Sequence, residues 1–233
     1  MNKNAKALQQ DLVEGFRRKE RNGKWGFVDE NGKTLVPCSY DFVFDFNVGT
    51  ARVIKNGKYG FINRLGLEVT PCQYDLAFEF YEGLADVLKG SKSGFVDKAG
   101  NEVIPCIYDW ADHFQDDMVI VKLNGKYGII GRRGETIIPF DYDELNYFHD
   151  GYCKAKKNGK WGYINIDNKE IIPCSYDTLG PIEFGFSTAT KGKKKGYVTT
   201  TGREIFTPLR RENVRLMIMY YRRKEKKKQD KNN

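Results

Sequence analysis

Apolar and polar residues alternate in short bursts along most of the chain. Ala51-Arg52-Val53, Ala85-Asp86-Val87 and Val119-Ile120-Val121 place apolar groups at the outer positions, and most middle ones are polar. That period of two predicts half-buried strands. Two further strand-like segments follow each burst. One is Lys24 to Val28 and its copies. The other is a short β-branched or apolar pair such as Leu35-Val36, Val103-Ile104 or Ile171-Ile172. Asn-Gly separates the first two segments at Asn22-Gly23, Asn56-Gly57, Asn124-Gly125 and Asn158-Gly159, with Gly90-Ser91 and Gly192-Lys193 as substitutes. These residues tolerate the positive φ of a tight hairpin. Glycine marks the second turn at Gly32, Gly66, Gly100, Gly134 and Gly202, and Asn168 replaces it once. Proline is expected to end the third strand at Pro37, Pro71, Pro105, Pro139 and Pro173, because it donates nothing to a ladder.

The bursts are copies of one unit. Gly26, Gly60, Gly94, Gly128, Gly162 and Gly196 are spaced by 34 residues, the signature of a repeat architecture. Glu14-Gly15, Val48-Gly49 and Glu82-Gly83 carry the same period, so the repeats begin near residue 15. The expected organisation is a lead-in over 1–14, a repeat domain of six units over 15–208, and a C-terminal segment over 209–233. Between units, a connector runs through Tyr40-Asp41, Tyr74-Asp75, Tyr108-Asp109, Tyr142-Asp143 and Tyr176-Asp177 to an apolar residue such as Phe46 or Phe114. Apolar groups three apart, as in Val43 and Phe46, predict a helical turn there in preference to a fourth strand.

Six three-stranded β-meanders give an all-β fold with two arrangements, an open twisted solenoid-like stack or a closed six-bladed β-propeller. Arg17 and Lys19 stand where the second unit has Ala51 and Val53, and the sixth unit has Ser187 and Ala189. Polar end units suit exposed edges, so the open stack is the expected form. Leu209 to Arg223 reads as an amphipathic helix on Val214, Met217, Ile218 and Tyr221, followed by a basic end.

The net charge of +8 changes meaning once it is divided by position. Residues 1–22 carry six basic and three acidic groups and residues 209–233 carry ten and three, +3 and +7, which leaves the body at 8 − 10 = −2. Any attraction to nucleic acid or anionic membrane therefore resides in the ends, chiefly the C-terminal segment, which alternatively caps the array. Neither a secretory signal nor a membrane-spanning run is visible, so the expected compartment is the cytoplasm.

Asn-Gly-Lys-Trp-Gly-Phe-Val-Asp, a turn glycine, then Leu-Val-Pro and Ser-Tyr-Asp resemble the WG, or KWG, repeat of bacterial proteins, most clearly over Gly23 to Asp41 and Gly159 to Asp177. The resemblance spans roughly 15–208, with Ser93 and Lys195 departing from the aromatic. It implies an all-β interaction or scaffolding module with no activity of its own.

Candidate chemistry is sparse. Cys38, Cys72, Cys106 and Cys174 share a repeat position, but equivalent positions in successive repeats do not converge on one ion as zinc requires, and Phe140 interrupts the series. They read, with Cys153, as small buried hydrophobes. No metal, cofactor or small-molecule substrate is expected. Asp41, Asp75, Asp109, Asp143 and Asp177 read as residues bonding the amides of their own turns, with a cation or acid-base role as the rival. His113 and His149 occupy different repeat positions and form no repeated pair. The lysine before the aromatic recurs in all six units, as a solvated stripe or as a ladder for an acidic partner. The rings beside it pack between repeats or present a binding strip. A partner protein or peptide using the repeated surface would meet Lys24, Trp25, Lys58, Tyr59, Lys126, Tyr127, Lys160 and Trp161. The sequence thus points away from an enzyme and toward a protein-interaction module, with a tail-anchored adaptor as the alternative.

Overall fold

A computed structural model describes residues 13–206 and Met219. Residues 1–12 of the expected lead-in and, apart from Met219, the C-terminal helix expected from Leu209 lie outside the described residues. The rest is strand and turn, in six antiparallel sheets, none of them closed into a barrel. The first sheet is β1 (Arg17–Arg21), β2 (Lys24–Val28) and β3 (Thr34–Tyr40). The second is β4 (Phe42–Asn47), β5 (Thr50–Lys55), β6 (Lys58–Asn63) and β7 (Glu68–Tyr74). The third is β8 (Leu76–Ala77), β9 (Leu84–Lys89), β10 (Lys92–Asp97) and β11 (Glu102–Tyr108). The fourth is β12 (Trp110–Ala111), β13 (Met118–Leu123), β14 (Lys126–Gly131) and β15 (Thr136–Tyr142). The fifth is β16 (Glu144–Leu145), β17 (Cys153–Lys157), β18 (Lys160–Ile164) and β19 (Glu170–Tyr176). The sixth is β20 (Thr178–Glu183), β21 (Phe186–Lys191), β22 (Lys194–Thr199) and β23 (Glu204–Ile205).

The connector is therefore a fourth strand and not a helical turn. Val43 pairs with Val53 and Phe46 with Ala51, and the register shifts between those two pairs. This irregularity is why Val43 and Phe46, three apart, both face the core. The third strand also runs past its proline. Trp25 pairs with Tyr40 and Phe27 with Val36, so Gly26 stands opposite the three residues Pro37, Cys38 and Ser39. Proline fits because a bulge residue has no ladder bond to make.

The chain divides into two compact bodies, Met1–Asn124 with Ile130–Glu135, and Gly125–Ile129 with Thr136–Asn233. The border falls inside a repeat and does not mark a change of unit. In each body, sheets follow one another as a stack. Phe27, Val36 and Tyr40 of the first sheet meet Val43, Phe46, Ala51 and Val53 of the second. Phe61 and Tyr74 meet Ala77, Phe80, Ala85 and Val87 of the third. In the other body, Tyr163, Ile172 and Tyr176 meet Leu179, Ala189 and Val198 of the sixth. A single sheet buries only one face, so each unit completes its neighbour's core.

End units behave differently from one another. In β1, Arg17 is half-buried and Arg18 to Arg21 are exposed, as an uncovered first sheet requires. In the sixth sheet Ser187 is buried, and its hydroxyl donates to the Gly180 carbonyl at 2.7 Å, so that residue protects no exposed edge.

The Asn-Gly hairpins carry positive φ at both central residues, as at Asn56 (53°) and Gly57 (72°). A third hairpin of the same kind precedes the first strand of each unit, at Glu14-Gly15, Val48-Gly49, Glu82-Gly83, Asp116-Asp117, Asp150-Gly151 and Phe184-Gly185. The repeated motif glycines answer a different demand. A Cβ at Gly60 would lie 2.6 Å from the Thr70 carbonyl oxygen and 2.8 Å from the Cys72 nitrogen, because the proline bulge folds over that point. Only a residue without Cβ admits so close a backbone. Gly60→Ala is expected to cost about 1–3 kcal/mol of stability, the usual effect of overpacking against fixed atoms. Chemical denaturation of the variant beside the parent measures it.

Candidate functional site

The motif lysines and aspartates form one repeated device. Lys24 Nζ donates to Asp41 Oδ1 at 2.5 Å, as do Lys92 to Asp109 and Lys126 to Asp143 at 2.5 Å, and Lys58–Asp75 and Lys160–Asp177 pair in the same way. The second carboxylate oxygen faces the following unit. Asp41 Oδ2 accepts from the Gly57 N–H at 3.3 Å, Asp75 from Gly90 at 2.7 Å, Asp143 from Gly159 at 2.7 Å and Asp177 from Gly192 at 2.6 Å. The aspartate backbone N–H also crosses over. Asp41 donates to Ile54 O, Asp75 to Leu88 O and Asp177 to Thr190 O, each at 2.8 Å. Each of these four aspartates thus ties the lysine-bearing strand of one sheet to the hairpin of the next. This differs from the expectation that it would bond its own turn.

Those bonds fix the chemistry. The lysine ammonium first, then the glycine N–H, hold Asp41, Asp75, Asp143 and Asp177 below the ordinary carboxylate range. A carboxylate kept charged by two donors is a poor proton acceptor and a poor acid at neutral pH, so the row does not suit general acid-base work.

The aromatic row is also committed inward. Trp25 lies 5.6 Å from Phe42 of the second sheet, and the Arg52 guanidinium stacks 3.9 Å over Phe44 and 6.0 Å over Tyr59. Trp161 lies beneath Lys154 at 4.4 Å and Lys156 at 5.2 Å. These rings and Tyr127 are half-buried. Of the eight residues expected to meet a partner, the four lysines are paired with aspartates and the four rings are partly covered. The lysine side chains remain 43–47% exposed beside those pairings.

The motif tyrosines reach one unit onward. Tyr40 donates to Glu68 at 3.3 Å, Tyr74 to Glu102 at 3.5 Å, Tyr142 to Asn168 at 2.5 Å and Tyr176 to Glu204 at 2.8 Å. Cys106 and Cys174 point their thiols at Val87 O (4.0 Å) and Ala155 O (3.8 Å) of their own sheets. Burial pushes the Cys72, Cys106 and Cys174 thiols up to about 11, and Cys153 to about 12. Such thiols are protonated and unreactive at neutral pH. Among the described residues no group of three or more His, Cys, Asp or Glu is placed to hold a metal ion.

A second set of cross-links escaped sequence reading. Arg64 Nη2 bonds Glu14 Oε2 at 2.9 Å, Lys98 Nζ donates to Val48 O at 3.2 Å, and Arg132 Nη1 reaches Glu82 Oε2 at 3.3 Å and Asp117 Oδ1 at 3.1 Å. Each latch links a turn to a residue 50 positions later. The signal was present, since Arg64, Lys98 and Arg132 are spaced by the repeat period.

The middle position of the first strand varies in charge. Arg52 Nη1 donates to Ala77 O at 2.5 Å and Lys154 Nζ to Leu179 O at 2.7 Å, each reaching the next sheet. The third unit has Asp86 there. Burial pushes its carboxyl up to about 6, against the pull of His113 and with the push of Asp112.

A sequence model of the WG containing repeat matches residues 25–59, 59–92, 94–127, 127–161 and 161–194. The chain belongs to the WG containing repeat family. The matched repeats cover the lysine-aspartate ties just described, save Lys24, one residue before the first match. No curated protein matches the chain in sequence. Among solved structures, the WG repeat chain is similar to a crystal structure of the eukaryotic initiation factor, at 12% identity and a TM-score of 0.43, over 83% of this chain and 62% of that one. It is also similar to Hsv2 of Kluyveromyces lactis (6%, TM-score 0.35, 66% and 58%) and of Kluyvelomyces marxianus (5%, TM-score 0.36, 86% and 73%). The chain spans about three fifths of the length of the first two, 62% and 58%.

Two titrations follow. The clamp carboxylates have lowered values when folded, so their stabilisation is complete above the ordinary carboxylate value of about 4 and is lost as pH falls through the folded values. Asp75→Asn should lower Tm at pH 7 and show a shallower loss below pH ~4 than the parent. Asp86 has the opposite sign. Its penalty is absent near pH 4, grows as pH rises and is complete above about 6, so Asp86→Asn should stabilise at pH 7 by about 1–2 kcal/mol. That gain should vanish near pH 4 in denaturation curves run across the range.

Proposed function

We propose that the chain is a non-catalytic interaction module, a scaffold that offers loop side chains to a protein or peptide partner. The observation that supports this reading is the division of labour among its residues. The polar groups of the motif are spent on bonds between sheets, and large apolar side chains stand exposed on the loops the motif leaves free. Phe78 (47% exposed) and Tyr81 (60%) lie in the segment around β8, and Leu65 (78%) and Leu67 (60%) on the turn between β6 and β7. Binding residues on loops over a rigid framework are the common arrangement in repeat proteins, and exposed aromatics are frequent anchors of interfaces.

A second reading has the ten basic residues of 209–233 attach the module to an anionic surface, membrane or nucleic acid. The near-neutral body supports confining such a role to that segment, and attachment of this kind weakens steeply with salt.

Selection of ligands from a random peptide display against the full chain tests the first reading. Selected peptides should bind with little salt dependence and lose about tenfold in affinity to a Phe78→Ser/Tyr81→Ser variant that melts like the parent. Failure to enrich any ligand, or ligands indifferent to that variant and to Leu65→Ser, would remove its support. Ligands whose binding collapses between about 50 and 200 mM salt would favour the charged-segment reading instead.

A further inference from the structure

We infer that the cleft between the fifth and sixth sheets is a docking site for an arginine side chain on an extended partner segment. The inference rests on the interaction reading above and gives it a location and a chemistry.

The molecule's own latches supply the argument. In one body, the hairpin turn that leads into β1, β5 or β9 receives a cation from the next sheet, from Arg64, Lys98 and Arg132 in turn. Glu14 shows how well such a turn holds it. The Arg64 guanidinium and the Gly49 N–H share Glu14 Oε2 at 2.9 and 3.0 Å, and Arg64 chiefly keeps that carboxyl below its ordinary range. In the other body the corresponding pair is Asp150 and Thr200. The turn keeps its shape and its carboxylate, with φ of 50° at Asp150 and 79° at Gly151. Among the described residues no cation crosses to it from the sixth sheet. Thr200 is too short to cross, and its N–H and hydroxyl both turn to Gly185 O of its own sheet, at 2.9 and 3.3 Å.

A cleft of about 780 Å³ opens at this place, with both Asp150 and Thr200 in its walls. The equivalent site one sheet pair into the chain, lined by Phe44, Arg52 and Phe61, holds about 10 Å³. The larger volume falls within the roughly 300–1,000 Å³ typical of ligand sites. Tyr147, Tyr152 and Tyr163 line it beside Asp150 and Glu183. Carboxylates bind guanidinium through charge-assisted bonds, and aromatic faces attract it through their quadrupole. The one lysine in the lining does not fill the gap, because Lys154 is drawn to the floor by Leu179 O at 2.7 Å. His149, the other basic group of the wall, lies with its Nε2 3.5 Å from Asp150 Oδ2 on a side chain 91% exposed, so it belongs to the turn itself and does not span the cleft to the sixth sheet.

The full chain is titrated with a fluorescein-labelled, acetylated and amidated Gly-Ser-Arg-Ser-Gly peptide and with the same peptide carrying citrulline in place of arginine. The arginine peptide should bind at least about tenfold more tightly, and Asp150→Asn/Glu183→Gln should abolish the difference. Asparagine keeps the left-handed backbone at 150, so the variant retains its turn. Thr200→Arg should restore the internal latch, raise Tm and exclude the peptide. Equal binding of the two peptides, or undiminished binding of the arginine peptide to Thr200→Arg or to Asp150→Asn/Glu183→Gln, would overturn the site. A Thr200→Arg chain that does not fold leaves the carboxylate variant to decide. If display-selected ligands still bind through Phe78 and Tyr81 while the arginine peptide does not, this site alone fails and the broader reading stands.

Discussion

The aspartate at each crossover is the constraint on which the repeated structure depends. A stack of sheets joined only by apolar contact would have no fixed stagger, because hydrophobic attraction is not directional. Asp41, Asp75, Asp143 and Asp177 supply direction. One oxygen holds a lysine in the sheet just completed, the other holds the hairpin amide of the sheet about to form, and the backbone N–H enters the new sheet's ladder. Three bonds from one residue fix where each sheet starts relative to the last. Exposed ion pairs alone contribute little. Here the charge matters because it strengthens a bond to a backbone amide, and the hairpin's positive-φ glycine is what turns that amide outward.

Tyrosine completes the joint from the buried side. Tyr40, Tyr74 and Tyr176 are almost fully covered, yet each phenol reaches a glutamate at the start of the next unit's last strand. A lysine from that next unit lies over the ring, as Lys55 does over Tyr40 at 5.7 Å and Lys191 over Tyr176 at 5.3 Å. Tyr-Asp in the motif is thus one hinge with two faces, a ring in the core and a carboxylate at the rim. The glycine two strands earlier belongs to the same geometry, since the proline bulge that folds over it brings Tyr and Asp to the crossover.

Much of this was legible in the sequence, because the period of 34 forces equivalent residues into equivalent surroundings. The strands, the Asn-Gly hairpins and the inward role of the rings follow from local pattern. What local pattern misses is pairing. Lys24 and Asp41 were each visible as members of a row, but a row of lysines and a row of aspartates read separately suggest two surfaces, and they are one. The bulge escaped for a similar reason. Proline reads as a strand end when the strand is considered alone, and only the partner strand shows that pairing resumes at Tyr40. The connector misled through Val43 and Phe46, whose spacing of three is produced equally by a helical turn and by an irregular strand.

The departures from the repeat carry the remaining information. Where Asp97 and Asn63 cap the second turn with their side chains, the fourth unit has Gly131, and Glu135 swings its carboxylate back to bond the Arg133 N–H at 3.0 Å. That substitution is compensated within a few residues, as expected where the lost group was structural. Thr200 has no such compensation. Its own bonds to Gly185 are satisfied, but it sends no cation across as three other units do, and Asp150 keeps only the neighbouring His149 imidazole, 3.5 Å away. A repeat protein that replaces a framework bond and repairs it has conserved its fold, whereas one that removes the bond and leaves the acceptor in place has changed its surface. By that distinction Thr200 opposite Asp150, with Ile166 at the same repeat position one unit earlier, marks where this chain differs chemically from its own template more than the regular lysine and tryptophan rows do.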